Sequence, residues 1–187
     1  MKNLNALKKL FLLLIVVACS KFSFAQTIID PDTVCAGATG EVYFVNNTQG
    51  STYNWTITGG GGVLQTGQGT NSITVNWGTN PGLYPQAVNV IETSADGCVG
   101  TPVTLDVQII EATLLAIGPF CEGDQSVALT GTPAGGTYSG NGVSNGNFDP
   151  SLAGVGTHTI TYSVAGCSTT IDVIVSPIPV TGPIQHN

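Results

Sequence analysis

The amino-acid sequence predicts an all-β protein built from two β-sandwich domains in tandem. Short segments rich in β-branched and aromatic residues recur at a spacing of roughly 8 to 12 residues, as in sandwich proteins. Turn residues, chiefly glycine, asparagine and proline, separate these segments. No stretch shows the period of an α-helix, and the arrangement of cysteines and strands occurs twice along the chain.

The first half contains five predicted strands, most of which alternate between apolar and polar residues. They cover residues 41–45, 52–58, 72–77, 86–92 and 103–109. In two of them the large apolar side chains share one face: Tyr53, Trp55 and Ile57 in one, and Ile73, Val75 and Trp77 in the other. Two such faces can pack against each other as the two sheets of a sandwich.

The second half repeats this arrangement with shorter segments, at residues 127–130, 136–139, 158–164 and 169–175. Cys35-Ala36-Gly37 corresponds to Cys121-Glu122-Gly123, and Gly97-Cys98 corresponds to Gly166-Cys167. An alternating strand follows each Gly-Cys pair. We therefore predict two related domains, at residues 26–110 and 111–176, followed by a proline-rich linker or tail at residues 177–187.

The N-terminus predicts export from the cytoplasm. A positively charged start precedes an apolar run at residues 10–18, and small residues surround a cleavage point after Ala25, so residues 1–25 are predicted to be a cleaved signal peptide. The apolar run is too short to span a membrane. Val16-Val17-Ala18-Cys19 resembles a lipobox, and in that alternative Cys19 would carry a lipid anchor. Both interpretations place the protein outside the cytoplasm, secreted or at the cell surface.

The charge distribution excludes several classes of partner. The chain has four lysines and no arginine, and all four lysines lie within its first 21 residues, whereas all eleven carboxylates follow. Without the signal peptide the formal charge changes from -7 to -11. Proteins that bind nucleic acid or anionic membranes do so mainly through lysine and arginine. We therefore expect no nucleic-acid partner.

Four cysteines remain after cleavage at Ala25, an even number in an oxidising compartment. They are Cys35, Cys98, Cys121 and Cys167. Of the three possible pairings, the sequential one, Cys35 with Cys98 and Cys121 with Cys167, places one disulfide in each half. No Cys-x-x-Cys spacing occurs, so structural disulfides are favoured over zinc or redox chemistry.

Several motifs resemble the immunoglobulin-like and PKD-like repeats of large Bacteroidetes surface proteins, especially gliding-associated and type IX-secreted adhesins. They include Val34-Cys35-Ala36-Gly37, Tyr53-Asn54-Trp55-Thr56-Ile57, Gly131-Thr132-Pro133-Ala134-Gly135-Gly136-Thr137-Tyr138 and Phe148-Asp149-Pro150. The resemblance implies a PKD-like domain at residues 26–110, an Ig-like domain at residues 111–176, and a non-enzymatic spacer or adhesive role outside the cell. Other surface proteins, or further copies of the same module, are the implied partners. Such proteins usually run longer and end in a sorting domain.

Two residues are candidates for catalysis. Gly142-Val143-Ser144-Asn145-Gly146 matches the Gly-x-Ser-x-Gly pattern of serine hydrolases, but no helix is predicted to follow it, so Ser144 is interpreted as a turn residue. His158 alternates with Ile160 and Tyr162 and is predicted to lie at the inward face of a strand. No nucleophile, base and oxyanion donors converge, so no enzyme is predicted.

Three weaker patterns concern binding. Two carboxylate pairs, Asp30 with Asp32 and Glu122 with Asp124, could hold calcium at a domain entrance, although solvated charge is favoured and no cofactor is expected. Exposed threonines or aromatic side chains could contact a polysaccharide, which makes a carbohydrate-binding module the alternative function. The residues concerned are Thr157, Thr159, Thr161, Tyr43, Trp77 and Tyr84. Asp32-Thr33-Val34 resembles a Bacteroidetes acceptor triplet for O-glycosylation.

Overall fold

The computed structural model of the chain describes residues 30–186, so the predicted signal peptide and the lipobox lie outside the described residues. The described chain is almost entirely strand, and the prediction of an all-β protein is confirmed. One short helix, α1 (Pro150–Ala153), was not predicted. No helix within the described part is long and apolar enough to cross a membrane.

The chain divides into two compact units. Among the described residues, unit 1 comprises residues 30–32, Ala38–Gly78 and Leu83–Val107. Unit 2 comprises Thr33–Gly37, Thr79–Gly82 and residues 108–186. Each unit therefore contains segments that are distant in the sequence.

The strands of the first half form a four-stranded and a three-stranded sheet. The strands are β1 (Asp32–Cys35), β2 (Glu41–Phe44), β3 (Thr52–Ile57), β4 (Val63–Thr66), β5 (Ser72–Asn76), β6 (Gly82–Thr93) and β7 (Val103–Ile110). The sheet orders are β1-β7-β6-β3 and β2-β5-β4. All five strands predicted in this half are present, whereas β1 and β4 were not predicted.

The core of unit 1 follows the alternation of the sequence. Tyr53, Trp55, Ile73 and Val75 are at most 5 % exposed, as their shared strand faces predict. The indole Nε1 of Trp55 donates to the carbonyl oxygen of Thr70 at 2.8 Å, so the polar atom of this buried ring is satisfied. Burial of these side chains is the main stabilising contribution, because no lysine or arginine is available for ion pairs in residues 30–186.

The second half of the described chain has two long strands and seven strands of only two or three residues. They are β8 (Thr113–Leu114), β9 (Phe120–Cys121), β10 (Val127–Ala128), β11 (Gly131–Thr132), β12 (Thr137–Ser139), β13 (Val143–Ser144), β14 (Asn147–Phe148), β15 (Gly156–Val164) and β16 (Cys167–Ser176). The sheet orders are β12-β15-β16-β9, β10-β14-β13 and β11-β8. Phe148, Ile160, Tyr162 and Val173 lie at the centre of its apolar core.

Helix α1 has a local cause that hydrophobic periodicity does not reveal. Proline occupies its first turn, and the carboxylate of Asp149 caps it by accepting from the backbone N–H groups of Ser151 and Leu152. The hydroxyl of Ser151 also donates to this carboxylate, and these hydrogen bonds hold the pKa of Asp149 below its ordinary value. Four residues are too few to show an apolar stripe.

The sequence repeat has a structural counterpart. The backbone N–H of Ala36, which follows Cys35, donates to Ile110 O at 2.8 Å, at the end of β7. The N–H of Glu122, which follows Cys121, donates to Ser176 O at 3.0 Å, at the end of β16. The first strand of each repeat therefore lies beside the last strand of the same repeat, as the two Cys-x-Gly motifs indicate.

The predicted sequential disulfides are wrong. Cys35 pairs with Cys167, with their Cα atoms 5.5 Å apart, and both residues belong to unit 2. Cys121 is free and exposed, and Cys98 is disulfide-bonded but not to Cys35. The physical reason is the position of β9, which pairs in parallel with the end of β16 so that Cys121 lies opposite Ser176. Cys167 begins the same strand, roughly 30 Å away at about 3.3 Å per residue, which is too far for a bond.

Candidate functional site

An open groove of about 440 Å³ lies on unit 1 beside β2, with Asp30, Asp32, Val42, Phe44 and Leu105 among its lining residues. Val42 is 59 % exposed and Phe44 is 73 % exposed. Large apolar side chains exposed side by side on a strand are a feature of interaction surfaces rather than of solvated ones.

A chain of hydrogen bonds supports this groove from below. The hydroxyl of Tyr43 donates to Asp32 Oδ2 at 2.9 Å and accepts from Nε1 of Trp77 at 3.0 Å. The rings of Tyr43 and Trp77 pack edge to face, with their centroids 6.3 Å apart. Burial of the hydroxyl, together with the hydrogen bond to Asp32, raises the pKa of Tyr43 well above its ordinary value. Tyr43 is therefore a neutral structural link between the carboxylate and the indole.

Sequence reasoning did not identify Val42, Phe44 or Leu105 as surface residues. The signal was present in Glu41-Val42-Tyr43-Phe44-Val45, where neighbouring residues on both faces of the strand are apolar. Only one face of a sandwich strand packs into the core. An uninterrupted apolar run in a short strand therefore indicates that the outward residues are exposed.

The aromatic residues considered for sugar stacking do not form an exposed platform. Tyr43 is 8 % exposed and Trp77 is 4 % exposed, so both rings belong to the core of unit 1. Tyr84 is half-buried, and its ring packs closely against Gly59: a side chain at position 59 would place its Cβ only 2.9 Å from the ring. A flat sugar surface needs exposed coplanar rings, and these three side chains do not supply one.

Ser144 lies in a hairpin turn rather than in a catalytic elbow. Strands β13 and β14 pair Val143 with Phe148 and Ser144 with Asn147. The two residues between them, Asn145 and Gly146, both have positive φ, at 48° and 77°. This is the backbone that two-residue Asn-Gly hairpins adopt. The Gly-x-Ser-x-Gly match is thus explained by turn chemistry.

His158 has a structural role. It lies on β15 between exposed Thr157 and Thr159, and its side chain is only partly exposed, as predicted. Its Nε2 donates to Gly154 O at 2.7 Å, which leaves Nδ1 to accept from Asn141 Nδ2 at 3.4 Å. Nε2 therefore holds the residue that follows α1 and Nδ1 contacts Asn141, which precedes the helix, and no hydrogen bond joins His158 to Ser144.

The two carboxylate pairs lie in different settings. Asp32 accepts from Tyr43, whereas Asp124 Oδ2 accepts from the backbone N–H of Cys121 at 2.7 Å, which closes a short turn. Residues 30–186 contain no group of three histidine, cysteine, aspartate or glutamate side chains placed to hold a metal ion.

The threonines of β15 lie on its outward face. Thr157 and Thr159 are exposed, and the hydroxyl of Thr159 donates to Asp172 Oδ1 at 2.7 Å on the neighbouring strand. A cross-strand pair of this kind stabilises the solvent face of a sheet. In the triplet Asp32-Thr33-Val34, Thr33 is exposed and Val34 is buried.

Comparison with known protein families finds a match in the first half of the chain. Residues 22–109 match the family model of the PKD-like domain. Together with the two all-β units, this match supports an Ig/PKD-like repeat protein. None of the curated proteins compared with the chain matches it.

Several solved structures are similar to the chain at low sequence identity. Sidekick-1 immunoglobulin domains 1–4 share 13 % identity at a TM-score of 0.39, covering 81 % of this chain and 48 % of that one. Drosophila OTK extracellular domains 3–5 share 12 % at 0.40, with 80 % and 59 % covered. The D00-D0 domain of Intimin shares 11 % at 0.37, with 79 % and 95 % covered. The chain spans less than two thirds of the first two chains, and these similarities are too low to carry a functional argument.

Replacing Tyr43 with phenylalanine is expected to lower the free energy of unfolding by about 1–3 kcal/mol at neutral pH, because it leaves the buried indole N–H of Trp77 without an acceptor. Urea unfolding followed by tryptophan fluorescence measures the change. In a Trp77→Phe background the same substitution should cost clearly less, since the orphaned donor is gone. Equal costs in the two backgrounds would refute the role of this hydrogen bond.

The stability difference between the original chain and the Tyr43→Phe variant should also depend on pH. The raised pKa of Tyr43 means that its contribution to stability is fully present below its ordinary pKa of 10.0 and decreases as the pH rises above that value, because the unfolded chain ionises first. The stability difference between the original chain and Tyr43→Phe should therefore narrow in alkaline solution. A difference that stays constant from pH 7 into the alkaline range would contradict the assignment.

Proposed function

We propose that this protein is an exported, non-enzymatic module of a bacterial cell surface that acts as a structural spacer or in adhesion. The proposal rests above all on the PKD-like match at residues 22–109 in a chain made of two all-β units. The N-terminal charge pattern and the motifs shared with Bacteroidetes surface repeats support it. Other surface proteins or further copies of the module are the proposed partners.

The chemistry of the described surface is consistent with such a role. A chain with eleven carboxylates and no lysine or arginine after residue 21 has a strongly acidic surface, which keeps neighbouring copies apart unless a specific contact joins them. The candidates for catalysis have turn or packing roles, as Ser144 and His158 illustrate. Tyr43 and Trp77 are buried in the core of unit 1, so neither supports a carbohydrate-binding function.

Export is tested by expressing the full chain in a Gram-negative host, fractionating the cells, and determining the N-terminus of the mature protein by mass spectrometry. We expect Gln26 as the first residue; a diacylglyceryl Cys19 would instead establish the lipoprotein route. An Ala25→Leu variant is the matched control and should be processed poorly, because small residues are required at the cleavage site. A cytoplasmic chain with an intact Met1 would overturn the proposal.

A further inference from the structure

The edge strand β2 has unused hydrogen-bonding groups. The N–H of Val45 donates to Asn71 O at 2.9 Å, and the register pairs Tyr43 with Ile73. Because hydrogen-bonded and non-hydrogen-bonded pairs alternate in an antiparallel ladder, Tyr43 and Val45 direct their backbone groups toward β5. Val42 and Phe44 direct theirs the other way, where β2 has no neighbour among the strands of residues 30–186.

The same two residues expose apolar side chains. Val42 and Phe44 point away from the core, which Tyr43 faces, and they are 59 % and 73 % exposed. An edge strand with free backbone groups and apolar side chains is a template for an added strand, and native proteins usually block such edges with charge or proline. Residues 41–44 contain no lysine or proline, and their one charged residue, Glu41, lies at the start of the strand, outside the pair Val42 and Phe44.

The tail at residues 177–186 has a sequence pattern suited to a strand that pairs with the free edge of β2. Its three prolines, Pro177, Pro179 and Pro183, all occupy odd positions. In an extended chain the backbone N–H groups of successive residues point alternately to the two edges of the strand. The odd-numbered prolines therefore lack N–H groups at one edge only, and the N–H groups of the even residues all point to the other edge. The even residues from 178 to 184 are Ile178, Val180, Gly182 and Ile184, which also form the apolar face.

The tail is exposed and uncharged. Val180 is 95 % exposed and Ile184 is fully exposed. Residues 176–186 contain no carboxylate, lysine or arginine, unlike the remainder of the described chain, where all eleven carboxylates lie. A second copy can therefore approach the edge of β2 through this segment without placing a like charge beside Asp30 and Asp32.

We propose that the tail of one copy adds as an antiparallel strand to the β2 edge of a second copy. The even tail residues supply the N–H and C=O groups that pair with Val42 and Phe44, and the prolines lie on the outer side. Residues directly opposite in such a pair project to the same face, so Val180 covers Val42 or Phe44. Because tail and edge are different surfaces, the contact is heterologous and generates open head-to-tail chains.

This inference specifies one of the partners named in the proposed function, further copies of the chain, and its test is separate because it measures self-association of the purified chain. Sedimentation velocity across a range of protein concentrations should show the weight-average mass increasing with concentration. A chain that ends at Ser176 should remain monomeric. Added salt should strengthen the assembly, because it screens the repulsion between acidic copies.

Proline position provides a matched pair of variants. Val180→Pro removes an N–H on the pairing side and is expected to weaken association by about tenfold or more, as loss of a hydrogen bond with an orphaned partner does. Thr181→Pro adds the same residue on the outer side and should associate as the original chain does. Equal behaviour of the two variants would overturn the proposed strand addition.

The acceptor edge is tested separately. Val42→Pro removes an outward N–H without breaking the ladder to β5, and Phe44→Thr removes apolar cover while keeping a strand-forming residue. Both should remain folded by circular dichroism and lose association. A synthetic peptide of residues 176–186 should bind the chain that ends at Ser176, and the same peptide with Val180→Pro should not. The proposal would be overturned if the peptide fails to bind, or if the full chain is monomeric at every concentration. A monomer whose tail binds the β2 edge of the same copy would count as the second of these outcomes.

Discussion

Replacing Cys35 and Cys167 together with serine is expected to lower the free energy of unfolding by about 5 kcal/mol. The two residues are 132 positions apart in the sequence, so the bond closes a very long loop in the unfolded chain. In the chain-entropy model the stabilisation increases with loop length. Urea unfolding followed by circular dichroism measures the loss, and Tm should fall in parallel.

Cys121→Ser is the matched control, because Cys121 is exposed and free and its loss should change stability by less than about 0.5 kcal/mol. Mass spectrometry of a peptic digest under non-reducing conditions should recover the Cys35 and Cys167 peptides as one linked species. A species that links Cys121 to Cys167, or a Cys121→Ser variant as unstable as the double variant, would contradict the observed pairing.

Phe148→Ala is expected to cost about 3–5 kcal/mol in unit 2, the range for truncation of a buried aromatic residue. Phe148 is fully buried, and its ring lies 5.7 Å from that of Phe120 and 6.3 Å from that of His158, measured between centroids. The substitution removes contacts with two strands and leaves a cavity that the short β9 and β14 cannot close without losing their pairing.

Leu152→Ala provides the comparison within the same region. Leu152 lies on helix α1 and is 66 % exposed, so its truncation should change the free energy of unfolding by about 0.5 kcal/mol or less. Thermal and urea unfolding of the two variants by circular dichroism gives the difference directly. Comparable losses for Phe148→Ala and Leu152→Ala would mean that Phe148 is not at the centre of the core.

The longer strands were predictable because their evidence is local. The alternation in Thr52–Ile57 and Ser72–Asn76 identifies both the strand and its buried face, and the structure places Tyr53, Trp55 and Ile73 in the core accordingly. Of the two-residue strands of unit 2, β10 lies within the predicted segment 127–130. Strands β8 and β11 were not predicted, because two residues are too few to show a period and the two strands form by pairing with each other.

The candidate site was only partly predictable. Asp32, Tyr43 and Trp77 were each noted from the sequence, but for calcium or sugar binding, and not as members of one hydrogen-bonded chain. Their association depends on a contact between residues 34 positions apart, Tyr43 and Trp77, which residue types alone do not specify. The exposed edge at Val42 and Phe44 likewise depends on which strand ends the sheet.

The sequence alone determined the all-β class, the repeat, the acidic character of everything after residue 21, and the parity of the prolines in the tail, because each is a property of composition or of spacing along the chain. The tertiary structure decided which cysteines bond, which strand is left at an edge, and which aromatic rings are buried. Those outcomes require distances between residues far apart in the sequence. Alternation fixes the face that a residue occupies, but only packing decides what lies opposite that face.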